Sequence, residues 1–263
     1  MLFQWSKQLL QYKKFGYQRL GILYNQIYRL QNLLINSLPN RCLLCHQHTY
    51  NQSNGLCHPC LNACIYQHHI CLGCGKSIAT LSYYCGACMP KMPLPVVAAA
   101  SYHSPIGHIV AALKYQRQFS SLAILVDALI QRIENLRLEV NLPKPQIIMP
   151  VPMHSIRLKQ KGFNQAYLIA DEIANKLNLP IDSESLIRVQ HTPAQAGLDG
   201  LERRKNLHNA FDLSNDFSWQ RVALIDDVVT TGSTINEIYR LFKKRHIHLQ
   251  VWCLARAENK NLT

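Results

Sequence analysis

Nine of the ten cysteines in this chain of 263 residues lie between positions 42 and 88, and eight of these form four pairs that each enclose two residues. A gap of two residues lets both thiolates of a pair turn toward one ion, and a second pair completes a tetrahedron. The eight thiolates therefore predict two structural zinc sites. In chain order, the predicted ligands are Cys42, Cys45, Cys57, Cys60, Cys71, Cys74, Cys85 and Cys88.

The spacing of the pairs indicates how they share two ions. The internal gaps of 11 and 10 residues resemble a repeat of two zinc ribbons, with the first pair joined to the second and the third to the fourth. This sequential arrangement is preferred to an interleaved one. Iron binding and redox chemistry are the alternatives. Four closely spaced pairs, however, are more than a redox motif requires. Four thiolates leave zinc no open position for water, so its predicted role is structural. We expect the two remaining cysteines, Cys64 and Cys253, to be small buried hydrophobic residues.

Charge is unevenly distributed along the chain. The formal net charge is +13, and the first acidic residue is Asp127, so residues 1–126 contain 10 Lys or Arg and no Asp or Glu. Such a basic segment favours polyanionic partners, including nucleic acid. Lys13, Lys14 and Arg19 interrupt the N-terminal apolar residues, and neither a signal peptide nor an apolar stretch of roughly 18 residues is recognisable. We therefore expect a cytoplasmic protein with no transmembrane segment, in which paired cysteines bind metal rather than form disulfides.

Apolar spacing and proline positions divide the chain into three segments. Apolar residues at spacings of three and four predict a basic helical extension over residues 1–40, which either packs on the rest of the protein or binds a membrane surface or a partner. Residues 41–92 form the predicted double zinc ribbon. In residues 93–263, strand-like runs alternate with helical patterns, which predicts an α/β domain with a mainly parallel sheet flanked by helices.

The segment VALIDDVVTTGST, residues 222–234, gives the strongest indication of a ligand site. The preceding run RVALI is typical of a strand buried on both faces, so Asp226 and Asp227 are expected to follow its carboxyl end, where open α/β sheets bind ligands. A helix is predicted to begin near Ser233, and its N–H groups, Gly232 and the neighbouring hydroxyls favour a phosphate. Ionised carboxylates accept hydrogen bonds from the vicinal hydroxyls of a sugar. The segment thus predicts a cradle for ribose 5-phosphate.

The sequence IDDVVTTGST resembles the phosphoribosyl pyrophosphate (PRPP) loop of type I phosphoribosyltransferases. In that family two adjacent acidic residues bind the ribose hydroxyls, and the following turn surrounds the 5-phosphate. The resemblance implies a type I phosphoribosyltransferase-like sheet that binds PRPP, with Mg2+ accompanying the pyrophosphate. The residues of the implied site are Asp226, Asp227, Val228, Val229, Thr230, Thr231, Gly232, Ser233 and Thr234.

A second polar block, PVPMHSIRLKQKGFNQA, follows a predicted strand at residues 146–152. Its basic residues and glycine suit a pyrophosphate or a nucleic-acid backbone. The alternative is a solvated basic loop that leads to a helix cap at Asn164. The candidate ligands in this block are Arg157, Lys159, Lys161 and Gly162.

A third block, TPAQAGLDGLERRKN, is a polar segment with two glycines, followed by basic residues. In the transferase family a mobile loop closes over the site, and this block is the best candidate for that loop. Its proposed members are Gln195, Arg203 and Arg204. An ordinary exposed connection is the alternative.

The cysteine-rich segment, the block LKYQRQF at residues 113–119 and the three blocks above together resemble the ComF family of competence proteins, over residues 42–256. The resemblance implies a role in natural transformation, in which such proteins handle the incoming single strand after DNA uptake. The implied partners are PRPP or a related ribose phosphate, single-stranded DNA, and uptake or recombination proteins.

Two functional interpretations remain open at this stage. In one, the protein acts in transformation and binds PRPP, or a ribose phosphate of DNA, without turnover. In the other, it is an active phosphoribosyltransferase that moves ribose 5-phosphate from PRPP to a nucleobase or another acceptor, a reaction in which positioning dominates and no single catalytic residue is predicted. The side chains that could stack on single-stranded DNA, or else belong to the core or ribbon packing, are Tyr83, Tyr84, Tyr102 and Tyr115.

Overall fold

The computed structural model describes residues 41–49, 55–116, 118–190 and 209–258. The predicted helical extension at residues 1–40 lies outside the described residues. The same holds for the predicted mobile-loop residues Gln195, Arg203 and Arg204.

The described elements alternate as the sequence pattern predicts. The helices are α1 (His58–Cys64), α2 (Ile106–Tyr115), α3 (Leu122–Val140), α4 (Ser155–Lys161), α5 (Gln165–Leu177) and α6 (Ser233–Lys244). The strands are β1 (Val96–Ser101), β2 (Ile147–Pro150), β3 (Leu186–Arg188), β4 (Phe211–Leu213), β5 (Arg221–Val229) and β6 (His248–Arg256). Among these helices, none combines the length and the apolar character needed to span a bilayer.

A four-stranded sheet in the order β1-β6-β5-β2 forms the centre of the fold, and all of its strands are parallel. Along β5, alternate side chains enter two different hydrophobic clusters. Ala223 and Ile225 belong to the cluster that contains residues of α3 and α5, whereas Val222 and Leu224 belong to the cluster that contains residues of α6. Both faces of the sheet are therefore covered, which explains the continuous apolar run in the sequence. The predicted α/β class, with a parallel sheet flanked by helices, is confirmed.

The ribbon segment packs directly against the sheet. Ile65 forms an antiparallel bridge with Ala100 of the edge strand β1, and the N–H of Tyr66 donates to the carbonyl oxygen of Ala99 at 3.0 Å. Leu56 and Leu72 of the ribbon are fully buried in the same hydrophobic cluster as residues of α2 and α3. The ribbon and the sheet thus share one core on this side of the molecule.

Two sequence predictions about local structure are wrong. The strand predicted at residues 221–225 extends to Val229, because its backbone continues to pair with β6 through the pair of aspartates. The basic block expected to be a loop contains the short helix α4, which ends where Gly162 adopts a left-handed conformation with φ of 82°. The strand β4, which pairs antiparallel with β3, is an element that the pattern did not predict. Cys253 is buried as expected, whereas Cys64 is partly exposed.

Candidate functional site

The eight predicted zinc ligands form two compact clusters. The Sγ atoms of each cluster lie within 4.8 Å of one another, and the closest recorded pairs, Cys45–Cys57 and Cys74–Cys85, are both separated by 3.7 Å. Four sulfurs placed tetrahedrally around zinc at about 2.3 Å would be about 3.8 Å apart. The residues present therefore fit two zinc ions. The clusters consist of Cys42, Cys45, Cys57 and Cys60, and of Cys71, Cys74, Cys85 and Cys88, which is the sequential grouping.

Backbone N–H groups favour the ionised form of one ligand thiol, that of Cys42. Burial alone would raise the pKa of Cys42, but N–H groups of Cys45, Cys57 and Leu44 donate to its sulfur and lower the pKa to about 6. A metal binds the thiolate rather than the thiol, so these donors prepare the ligand for a dication. Because all four ligands of each cluster come from the chain, zinc here serves the fold.

The second site lies at the carboxyl end of the sheet. Strand β2 pairs with β5 only as far as Pro150, which lies opposite Ile225, while β5 continues alongside β6 to Val229. Beyond Ile225, β5 therefore faces a cleft of about 460 Å3 between α2, α4 and the turn after β5. We call it the sheet-end cleft. Asp226 and Asp227 both line it, so the longer strand still places the two carboxylates where open α/β sheets bind ligands.

Asp227 is paired with a lysine from α2. Its side chain is largely buried, and one carboxylate oxygen lies 3.2 Å from the Nζ of Lys114. The other oxygen accepts a hydrogen bond from the N–H of Val228 at 2.8 Å. The carboxyl group is thus fixed by a cation and by a backbone donor, and the pair holds α2 against the end of β5.

Asp226 lies in a different electrostatic environment. Burial, followed by the neighbouring charge of Asp227, raises the pKa of Asp226 to about 8, although Lys114 partly opposes the shift. One of its oxygens accepts from the N–H of Asp227 at 2.9 Å. At neutral pH the folded protein therefore favours the protonated form of this carboxyl group.

The turn after β5 offers donors to an anion. Gly232 precedes α6 in a left-handed conformation with φ of 70° and supplies no side-chain cap. The hydroxyls of Thr231 and Ser233 lie 2.8 Å apart, and Thr230 and Thr234 line the sheet-end cleft. The N–H of Ser233 donates to Oγ1 of Thr231 at 3.4 Å, and the first turn of this 12-residue helix faces the same cleft as the two carboxylates.

The two valines of the predicted site have different positions. Val228 lines the cleft, whereas Val229 is buried in the core beneath the turn. Val229 therefore supports the turn rather than contacting a ligand.

Helix α4 contributes positive charge to the cleft. Arg157 and Lys161 line it, whereas Lys159 is exposed and is not among its lining residues. Burial, together with the charge of Lys114, lowers the pKa of Lys161 to about 8. Gly162 does not line the cleft and acts by ending α4.

Sequence reasoning missed two cationic residues of the cleft. Lys114 lies within the block LKYQRQF, to which no role was assigned, and Arg188 reaches the cleft from β3. The family resemblance of this block was the only feature of the sequence that pointed to Lys114. Nothing in the sequence around Arg188 indicated that β3 approaches the end of β5.

The four tyrosines considered for stacking fall into two groups. Tyr102 and Tyr115 line the sheet-end cleft, and Tyr115 is 73% exposed. Tyr83 and Tyr84 pack against the core at the ribbon, where the Tyr84 hydroxyl donates to the carbonyl oxygen of Pro93. Only the first pair lies where it could contact a ligand of the cleft.

Comparisons with solved structures give weak similarities. The chain is 17% identical to adenine phosphoribosyltransferase from Thermoanaerobacter pseudethanolicus, covering 56% of this chain and 74% of that one, with a TM-score of 0.35. Orotate phosphoribosyltransferase from Aeropyrum pernix is 14% identical, covers 55% and 62%, and has a TM-score of 0.30. Similarities at this level carry no conclusion about the ligand.

Comparisons of sequence are decisive. A family model described as a double zinc ribbon domain matches residues 33–89. Competence protein F of Haemophilus influenzae is 35% identical over 230 residues, covering 85% of this chain and 100% of that protein. DNA utilization protein YhgH is 34% identical in Salmonella typhi and 31% identical in Escherichia coli, in each case over 84% of this chain and 98% of the relative. The chain therefore belongs to the ComF family of competence proteins.

Proposed function

We propose that this protein acts in DNA uptake by natural transformation, where it handles incoming single-stranded DNA, and that its sheet-end cleft binds PRPP. The observation that carries the PRPP assignment is the placement of Asp226 and Asp227 beside the first turn of α6, in a cleft that also contains Arg157 and Lys161. The names of the relatives, competence protein F and DNA utilization protein, support the role in transformation.

Each part of PRPP has a matching group in the cleft. The 5-phosphate would bind the turn from Thr230 to Thr234, where N–H and hydroxyl donors converge. The ribose hydroxyls would donate to the carboxylate of Asp227 and, once it is ionised, to that of Asp226. The pyrophosphate would lie toward Arg157 and Lys161. Mg2+ prefers phosphate and carboxylate oxygens, and it would neutralise the pyrophosphate when bound with the ligand.

The same surface suits a single strand of DNA. Exposed tyrosines beside a cationic cleft are the usual elements of single-strand binding, since bases stack on the rings while lysines and arginines attract the phosphates. Tyr115 and Tyr102 would supply the stacking surfaces, and Arg157 and Lys161 the charge. The ribbon would serve as a docking surface for uptake or recombination proteins.

Transfer of ribose 5-phosphate is the alternative function. The cleft of about 460 Å3 falls within the range of small-molecule sites, roughly 300–1,000 Å3. In such a reaction an acceptor nitrogen bonds to C1 of the ribose as the bond from C1 to the pyrophosphate oxygen breaks. The chain would contribute by holding the phosphate, the diol and the pyrophosphate in fixed positions.

Isothermal titration of PRPP with Mg2+ into the zinc-loaded protein tests the proposal. We expect one binding event, which the double variant Asp226→Asn, Asp227→Asn abolishes. The control, Asp216→Asn, makes the same kind of charge change at an exposed position that does not line the cleft, and it should leave binding unchanged. A folded parent protein that does not bind PRPP would contradict the assignment.

Two further measurements separate the remaining interpretations. Binding of a fluorescent oligothymidylate should weaken steeply as salt increases, and Tyr115→Ala should weaken it further. Release of pyrophosphate on addition of nucleobases to the PRPP-loaded protein would establish the transferase function. Salt-independent DNA binding would contradict the proposed role in handling the strand.

A further inference from the structure

A second cavity, of about 320 Å3, lies between the ribbon and α3, and we call it the junction cavity. The segment from Asn62 to His69 forms one wall, and α3 from Ala128 to Glu139 forms the other. Ala99 of β1 lines its base. None of its lining residues also lines the sheet-end cleft, so the two cavities are separate.

Arg132 is the one arginine that lines the junction cavity. Its guanidinium carbon lies 5.1 Å from the centre of the Tyr66 ring, but its nitrogens make no hydrogen bond or direct ion pair with any described residue. Its Nε is shielded from solvent without a partner. Burial lowers the pKa of Arg132, although an arginine keeps its proton in proteins. The structure therefore holds a partly buried charge whose terminal nitrogens still require acceptors.

Two other arginines of the described residues have polar partners. Arg137, one turn along the same helix, pairs with Glu134 at 2.8 Å, and Arg256 donates to backbone carbonyl oxygens of the ribbon. Arg157, which lines the sheet-end cleft, also makes no hydrogen bond or ion pair with a described residue. Both cavities therefore present a guanidinium without a polar partner among the described residues.

The rest of the lining suits a nucleotide. Four amide side chains line the same cavity, and amides can both donate to and accept from the edge of a base. The single carboxylate of the lining, that of Glu139, lies 3.7 Å from Nδ1 of His69. The volume is at the lower end of the roughly 300–1,000 Å3 of small-molecule sites, which suits one nucleotide unit. The amides are those of Asn62, Gln67, Gln131 and Asn135.

We propose that the junction cavity binds one nucleotide unit, either a free mononucleotide or one residue of a DNA single strand, with its phosphate on Arg132. The phosphate accepts hydrogen bonds from the terminal guanidinium nitrogens, and the amides contact the base. This site does not depend on PRPP binding in the sheet-end cleft. Its position beside the ribbon gives the protein two phosphate-binding sites at different places on the same domain.

The test uses a background in which both proposed phosphate contacts of the sheet-end cleft are disrupted, the triple variant Thr230→Glu, Arg157→Gln, Lys161→Gln, where a carboxylate on the turn repels phosphate. Thymidine 5'-monophosphate is titrated calorimetrically into this background and into the same background with Arg132→Gln. Loss of a charge-assisted phosphate contact should weaken binding about tenfold or more. Arg137→Gln is the matched control, because it removes an arginine that does not line the cavity from the same helix.

Thymidine, which has no phosphate, should bind the background protein at least about tenfold more weakly than its monophosphate. A fluorescent oligothymidylate distinguishes the two sources of the phosphate. Arg132-dependent binding of the monophosphate identifies a free nucleotide, whereas Arg132-dependent binding of the oligonucleotide alone identifies a strand. The proposal would be overturned if the background protein bound neither probe. It would also be overturned if the protein with Arg132→Gln bound the probes as tightly as the background protein.

A second variant covers the case in which Arg132→Gln fails to fold. Asn135→Asp places a carboxylate three residues after Arg132 on an exposed position, where it can pair with the guanidinium in place of the ligand. We expect this variant to bind about tenfold more weakly whichever of the two probes shows Arg132-dependent binding, while its thermal midpoint does not fall. Asn215→Asp, which makes the same charge change away from both cavities, should leave binding unchanged. Unchanged binding by Asn135→Asp would count against the site.

Discussion

The guanidinium of Arg256 donates a hydrogen bond from Nη1 to the carbonyl oxygen of Leu72 at 3.0 Å. Leu72 lies between two ligands of the second cysteine cluster, and Arg256 is the last residue of β6, directly opposite Val229 of β5. A second guanidinium nitrogen donates to the carbonyl oxygen of Gly73. One side chain therefore joins the second ribbon to the strand end that carries the sheet-end cleft.

Replacing Arg256 with glutamine should destabilise the protein without removing zinc ligands. Two carbonyl oxygens in the ribbon would lose a charged donor, which corresponds to about 2 kcal/mol or more in the free energy of unfolding. Urea unfolding of zinc-loaded protein measures the loss. Arg240→Gln breaks a pair with Glu237 in which the arginine is 65% exposed, and it should cost less than about 1 kcal/mol. Equal losses in the free energy of unfolding would show that the ribbon contact stabilises the protein no more than an exposed ion pair does.

Serine substitution at Cys71 should remove one zinc ion and destabilise the whole domain. Cys71 is fully buried, and its sulfur also accepts from the N–H of Cys85 at 3.2 Å. Because the ribbon shares a core with α2 and α3, the loss should lower the single thermal midpoint rather than produce a separate ribbon transition. Metal analysis of the purified protein should show one zinc ion instead of two. Cys64→Ser lies outside both clusters and should retain both ions.

Affinity for PRPP should rise with pH as Asp226 ionises. Burial and the charge of Asp227 raise the pKa of Asp226 to about 8, and only the ionised carboxylate accepts from both ribose hydroxyls. Lys161, whose pKa is lowered to about 8, loses its charge over the same range, so the measurement uses the Lys161→Gln protein. Its affinity at constant ionic strength should strengthen between pH 7 and pH 9, and adding Asp226→Asn should weaken binding and remove this dependence. A Lys161→Gln protein whose affinity is flat over this range would contradict the assigned role of Asp226.

The same carboxyl group should make the free protein less stable as pH rises. Its folded pKa lies above the unfolded value of about 3.9, so the folded state holds the proton more tightly. This contribution to stability is fully present below the unfolded pKa and is lost as pH rises through the folded pKa near 8. Asp226→Asn should therefore raise the thermal midpoint at pH 9 more than at pH 5. A variant that is less stable than the parent at pH 9 would show that the carboxylate is favourably paired.

Removing the charge of Lys114 should weaken both the fold and the cleft. Lys114→Met leaves the carboxylate of Asp227 buried without its cation, which should cost about 1–3 kcal/mol, between the values for surface and buried pairs. PRPP affinity should fall about tenfold, because the cleft loses a cation that attracts the phosphates of PRPP. The double variant Lys114→Met, Asp227→Asn should recover much of the stability but not the binding. Additive effects on stability would mean that the two side chains do not interact.

Substitution of Gly232 by alanine should disturb the turn before α6. Its φ of 70° is a left-handed conformation that costs an alanine about 1 kcal/mol. A methyl group there has nothing closer than 3.7 Å, so strain rather than collision is the cause. PRPP binding should weaken as the turn relaxes. Gly86→Ala, where an added methyl group meets nothing within 4 Å, should change stability by less than about 0.5 kcal/mol.

The sequence predicted the cysteine clusters and the parallel sheet because both depend on local patterns. A pair of cysteines two residues apart can be recognised without knowing the fold, and the apolar run before Asp226 indicates a buried strand directly. The end of that strand could not be predicted in this way. Aspartate disfavours strands, yet Asp226 remains paired with Cys253, because the backbone of β6 supplies partners that the sequence of β5 does not reveal.

Contacts between distant segments account for the other differences. Lys114 and Asp227 are joined only when α2 packs across the end of β5, and no spacing in the sequence encodes that distance. Helix α4 was missed because its basic residues form no apolar stripe. Its Gly162, interpreted as a possible ligand contact, instead ends the helix. Nothing in the sequence indicated a functional role for Arg132, since an arginine on an amphipathic helix is normally solvated.

The bridge between Ile65 and Ala100, described above as packing, also protects a sheet edge. Strand β1 is the outer strand of the parallel sheet, and the N–H of Tyr66 occupies a carbonyl oxygen that would otherwise be open to another chain. Unpaired outer strands recruit strands of other molecules and promote aggregation. Loss of zinc would unfold the ribbon and expose the edge of β1. A protein deprived of zinc would therefore aggregate as well as lose stability.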